Sequence, residues 1–102
     1  MRIIEIIIDG ESTTYNVDVL RAVSKESSNA FENCFWVSIN AHPLEPIRLL
    51  LAGEAIAEKL YLSLKAFMKS DSDEELIVQL KKGDGRANKL VAIQTIEGYK
   101  NH

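Results

Sequence analysis

A chain of 102 residues, 46% apolar and 26% charged, has the composition of one globular domain and is long enough to hold a core unaided. Twelve Lys and Arg against fifteen Asp and Glu leave a net charge of −3. That argues against a broad basic face for nucleic acid, because phosphate binding needs clustered cations. One Cys and two His exclude an internal disulfide, a four-Cys zinc site and a His-rich metal cage.

No apolar run reaches the ~18 residues that a membrane helix needs. The first residues lack the layout of a signal peptide: Arg2, then a short Ile run broken by Glu5 and ended by Asp9-Gly10. The expectation is one domain over residues 1–102, cytoplasmic, with no membrane partner.

Residues 1–10 read as a strand, since Ile occupies positions 3, 4, 6, 7 and 8 and β-branched side chains suit a pleated surface. Ile4, Ile6 and Ile8 share one side; Ile3 and Ile7 share the other with Glu5. Two apolar sides imply burial on both, or one side at an interface. Asp9-Gly10 is a hairpin signal, because a tight turn needs positive φ. Glu11 to Leu20 alternates as a second strand. Arg21 to Asn29 is polar and reads as a loop, with a short helix around Val19 to Val23 as a competing pattern. Cys34 to Asn40 is a third strand.

Pro43 and Pro46 stop that strand and suit a helix's first turn. Leu44 to Ala52 then reads as the one short helix, with Ile47, Leu50 and Leu51 on one side and Gly53 as its stop. Residues 54–69 fit two patterns. As a helix, Ile56, Leu60, Leu64 and Phe67 align; as a strand, Leu60, Leu62, Leu64, Ala66 and Met68 alternate with the rest. A single helix from Leu44 to Lys69 would run about 39 Å, against a radius of gyration near ~13 Å for a domain of this size. The favoured reading is a helix ending at Gly53 and a strand over Leu60 to Met68. Lys69 to Asp73 is a charged turn, Leu76 to Leu80 a strand, Lys81 to Gly85 a second hairpin turn, and Lys89 to Ile96 the last strand. Gly98 to His102 is a polar tail.

Four groups of residues invite a chemical reading. Cys34 with His42 has the residue types of a nucleophile and base, but no nucleophile motif accompanies them, and Cys34 sits in an apolar strand where a Cys usually packs as a small hydrophobe. Asp71 to Glu75 offers oxygen ligands without the loop that makes a calcium motif specific; whether it binds an ion stays open, and a solvated turn is the simpler reading. Gly83 to Arg86 lacks the GK[ST] element and helix of a phosphate loop and reads as a turn. Tyr15, Phe31, Phe35, Trp36 and Tyr61 have the chemistry of a base-stacking platform, but Asp18, Glu26 and Glu32 surround them, so packing accounts for them better. No catalytic, cofactor or metal residue is assigned, and no cofactor.

The order of elements carries a resemblance. Gly10-Glu-Ser-Thr13 leads into Tyr15 to Leu20. Phe35 to Asn40, Pro43 to Gly53, Lys59 to Lys65 and Glu75 to Leu80 follow. Over residues 1 to 97 this order resembles the tail-tube proteins of phages and type VI secretion systems, including the haemolysin-coregulated tube proteins, and the related spike-hub barrels. The resemblance implies a small β-barrel with one short helix, assembly into rings, and no catalytic residues.

The expected fold is mostly β (α+β): a small antiparallel barrel or sandwich with one short helix. The expected function is a non-enzymatic structural subunit of a phage tail or related injection or secretion apparatus, in the cytoplasm or in the assembled particle. The alternative is a small acidic binding protein that inhibits a partner, such as an immunity or anti-defence protein; a weaker third reading is a small enzyme using Cys34. The expected partner is protein, most simply a second copy, and not nucleic acid or membrane. Ile3, Ile7, Tyr61 and Phe67 are the expected interface, because five Ile in eight residues exceed what one small sheet side covers. Ile6, Val17, Phe35, Val37, Leu50, Leu62, Leu64, Val78 and Ile93 are the expected core.

Overall fold

The computed structural model describes residues 2–27, 34–41, 46–70, 75–83 and the backbone of 90–96. In chain order it forms β1 (Ile3–Ile8), β2 (Glu11–Asn16), a 3-10 turn (Val17–Val19), β3 (Leu20–Ser27), β4 (Cys34–Ala41), β5 (Ile47–Ala52), α1 (Glu54–Lys69), β6 (Glu75–Lys82) and β7 (Leu90–Ile96). The fold is mostly β with one helix, as expected.

The hairpin read from Asp9-Gly10 is present. Asp9 has φ 49° and Gly10 φ 86°, the positive pair that a two-residue hairpin demands, and it sets β1 against β2 with Ile8 opposite Glu11. Asp9 also ties the turn to β6. Its N–H donates to the Leu80 carbonyl, and its carboxylate accepts from the Lys82 N–H, each at 3.1 Å.

The strands follow the order β2-β1-β6-β7-β5-β4-β3. Two neighbours are parallel, β1 with β6 and β5 with β7, so the sheet is mixed where an antiparallel one was expected. β2 and β3 end the order and do not pair with each other, so the sheet does not close into a barrel. Between β5 and β7 the ladder narrows to one residue pair, Leu51 with Leu90. This divides the strands into a wing of four, β2-β1-β6-β7, and a wing of three, β5-β4-β3. The expected second hairpin joins β6 to β7 as antiparallel neighbours; its turn, residues 84–89, lies outside the described residues.

The largest correction concerns residues 44–69, where helix and strand exchange places. Ile47–Ala52 is β5, and Leu49, Leu50 and Leu51 are all buried. A strand covered on both faces is apolar on both sides, and such a run is not separable from a buried helix by periodicity. Glu54–Lys69 is the helix. Ala57, Leu60, Leu64 and Phe67, all at 0% exposure, fall on one side at the spacing of helical turns. The helix starts after Gly53, whose φ of 111° turns the chain sharply from β5. It therefore spans about 24 Å at 1.5 Å per residue and fits over β3, β4, β5 and β7. Leu62, assigned to the core on the strand pattern, points outward at 53% exposure.

Arg2 finishes the helix. Its guanidinium donates to the Ser70 carbonyl at 2.5 Å and to the Phe67 carbonyl, and lies 4.3 Å from the centre of the Phe67 ring. A cation there meets the negative end of the helix dipole and adds donors at the last turn, where the Phe67 carbonyl also accepts from the Ser70 N–H at 3.2 Å. Glu54 in the first turn and Lys69 in the last act in the same sense.

One further correction falls on β3. Where a loop is expected over Arg21 to Asn29, Leu20–Ser27 is a strand that pairs antiparallel with β4. As an edge strand it tolerates polar residues, and Lys25 reaches α1 through an ion pair with Glu58. Ile6, Val37, Leu50, Leu64 and Val78 are buried as expected. Val17 and Phe35 are half-buried, and the Ile93 side chain lies outside the described residues.

Candidate interaction surface

Alternation along the strands gives each wing two sides. On the inner side, Ile4 and Ile6 of β1, Val37 and Ile39 of β4, Leu49 and Leu51 of β5, and Leu76, Val78 and Leu80 of β6 form one cluster with the buried stripe of α1. The outer side of the four-stranded wing carries Ile3, Glu5 and Ile7 of β1. Beside them lie Ser12 and Thr14 of β2 and Ile77 and Gln79 of β6, as the registers require. Ile3, Ile7 and Ile77 are half-buried, and among the described residues no helix lies over them. Ser12 donates from its hydroxyl to Glu5 at 2.5 Å, which pairs two of the polar members of this surface.

The outer side of the three-stranded wing is different in kind. Glu26, Trp36 and Leu50 stand at one level across β3, β4 and β5. The Arg48 guanidinium lies 4.5 Å from the centre of a Trp36 ring and 3.4 Å from the Glu26 carboxylate. Cation stacking and a loose ion pair thus roof the indole. Leu50 is 4% exposed and Cys34 1% exposed, so these apolar residues of this side are buried.

Of the four expected interface residues, Ile3 and Ile7 stand on the outer side of β1. Tyr61 is half-buried on α1, with the Lys65 ammonium 5.1 Å from its ring centre. Phe67 is a correction: at 0% exposure beneath Arg2 it is core and has no surface to offer. The four do not form one patch. β1 is not an edge strand, since it lies between β2 and β6, and the free edge of that wing is β2. The Trp36–Arg48–Glu26 group was missed because Arg48 was placed in a helix, which hid its strand alternation with Leu50.

The chemical candidates resolve less. Cys34 is buried, and His42 lies outside the described residues, as do 71–74 and 84–86 of the two loop candidates; Glu75 is exposed at the start of β6. Among the described residues no three His, Cys, Asp or Glu side chains converge as a metal site would require, and no helix is long and apolar enough to cross a membrane. An open cleft of about 340 Å³ lies between Ile8, Asp9, Glu11 and Lys82, and the Asp9 carboxylate that lines it is already used by the Lys82 N–H.

Two titrations are displaced. The hydrogen bond to Glu58 raises the Lys25 ammonium above its ordinary value, and the charges of Glu58 and Glu54 add to it. Burial raises the Tyr15 phenol, against a smaller lowering by its hydrogen bond with Thr13. No family model matches the chain, and neither a curated protein nor a solved structure matches it.

Proposed function

We propose that this chain is a non-enzymatic structural subunit that works by associating with a second copy of itself. The observation that carries the reading is the doubly apolar strand β1. Ile4 and Ile6 are at 0% and 3% exposure, whereas Ile3 and Ile7 face away from that core beside Ile77, and no described helix covers them. Apolar area left in water favours association at about 25 cal/mol per Å² buried, before the costs of binding. A tail-tube or secretion-tube subunit is the specific form of this reading that the resemblance of the sequence suggests.

Sedimentation of the wild-type chain over a rising concentration series tests it. Mass that grows with concentration, and falls back in Ile7→Lys while the melting temperature holds, supports self-association; rings or stacks support the tube form. A chain that stays monomeric throughout overturns the reading. The small acidic inhibitor then becomes the better account, provided a partner is found.

A further inference from the structure

We infer that β2 is the edge through which two copies pair, antiparallel about a two-fold axis at Thr13. This rests on the self-association proposed above and names the contact.

The two free edges are not alike. β3 carries Arg21, Lys25 and Glu26, and its ladder is irregular between Leu20 and Ala22. Charge and irregularity are the devices by which sheet edges avoid one another, and Lys25 is further engaged by Glu58. β2 has neither device. Its six residues, Glu-Ser-Thr-Thr-Tyr-Asn, hold one charge, at the first position, and its ladder with β1 runs without a break.

The backbone of β2 is set up for a second neighbour. In a two-residue hairpin the closing pair, here Ile8 and Glu11, exchanges backbone hydrogen bonds, and alternate pairs do so after it. Glu11, Thr13 and Tyr15 therefore spend their N–H and C=O groups on β1, while Ser12 and Thr14 direct theirs away from it. No described strand lies on that side.

A two-fold axis perpendicular to the sheet at Thr13 places Ser12 opposite Thr14 of the second copy and Thr14 opposite its Ser12. Each of these two pairs closes two backbone hydrogen bonds. Thr13 then meets Thr13 of the second copy, and Glu11 faces Tyr15, whose hydroxyl is a donor for a carboxylate. No like charges are opposed, and hydroxyl-bearing and aromatic cross-strand neighbours are favourable ones. The contact is isologous, so it closes at two copies. It continues the outer side of each wing, with Ile3 and Ile7 one strand away, across the junction.

Three variants in the full chain test the pairing by sedimentation at matched concentrations. Thr14→Pro removes an outward N–H and leaves the bonds to β1 intact, a position where a strand tolerates Pro; it should be monomeric with a native circular dichroism spectrum. Thr13→Lys and Thr13→Glu each set like charges against each other at the axis and should each be monomeric, while their equimolar mixture should recover the wild-type dimer. Wild type that associates while all three variants do so equally, or a mixture that stays monomeric, overturns the β2 contact and leaves self-association standing. Wild type that never associates overturns both.

Discussion

The two sides of β1 carry the same residue type a single position apart and end in different environments. Ile4 and Ile6 are buried in the cluster that α1 completes, and Ile3 and Ile7 lie on the side that no described helix reaches. Isoleucine content made the strand; the cover supplied from elsewhere in the chain decided which side became core. Burial is thus a property of the partner element as much as of the residue, and an apolar side without a partner element is where association is sought.

That contrast breaks first at its covered side. Ile4→Ala or Leu64→Ala should each destabilise the fold by about 2–5 kcal/mol, the usual cost of emptying a buried aliphatic site, and Ile3→Ala by about 1 kcal/mol or less. Equal losses at Ile3 and Ile4 in urea denaturation would erase the distinction between the two sides.

The placement of the cover comes next. Gly53→Ala should lose about 1–3 kcal/mol, because its φ of 111° with ψ of 149° is open to Gly alone; nothing stands within 4 Å of the added Cβ, so the loss is backbone strain. Gly10→Val should cost more than about 1 kcal/mol for the same reason at φ 86°. Arg2→Met should lower stability by about 1–2 kcal/mol through the carbonyls of Phe67 and Ser70, and amide exchange should rise first in the last turn of α1.

On the uncovered side Ile7→Lys should cost the fold under about 1 kcal/mol while weakening assembly.

The smallest expected effect is on pH dependence. Lys25 and Tyr15 both have folded-state pKa values raised above their ordinary ones. A raised group binds its proton more tightly in the folded chain, so its contribution is full below the unfolded pKa and is lost as pH rises through the folded one. Melting temperature should therefore decline as pH is raised above 10.0, the ordinary Tyr value, and Glu58→Gln should remove the Lys25 share. A flat profile across that range would contradict both shifts.

Local chemistry was legible wherever a short stretch sufficed. The Asp9-Gly10 turn needs only its own φ angles, and the strands read over Cys34 to Asn40 and Leu76 to Leu80 lie within β4 and β6. The site was less legible. Ile3 and Ile7 could be read as a second apolar side, but Phe67 belongs to the core because α1 turns it inward. The group of Trp36, Arg48 and Glu26 joins three strands that no local pattern connects. The free edge at β2 was invisible for the same reason, since an edge is defined by which strands lie beside it.

By itself the sequence determined a mostly β fold with one helix, because β-branched runs, turn residues and proline stops act within a few residues of one another. Only the tertiary structure decided which apolar run became that helix. Leu49 to Leu51 became a central strand because β4 and β7 flank it, and Ala57 to Phe67 became a helix because the sheet offered one long apolar side for its stripe to cover. Hydrophobic burial is non-directional: it demands that both runs be hidden, and the geometry of their neighbours fixes the form in which each one is.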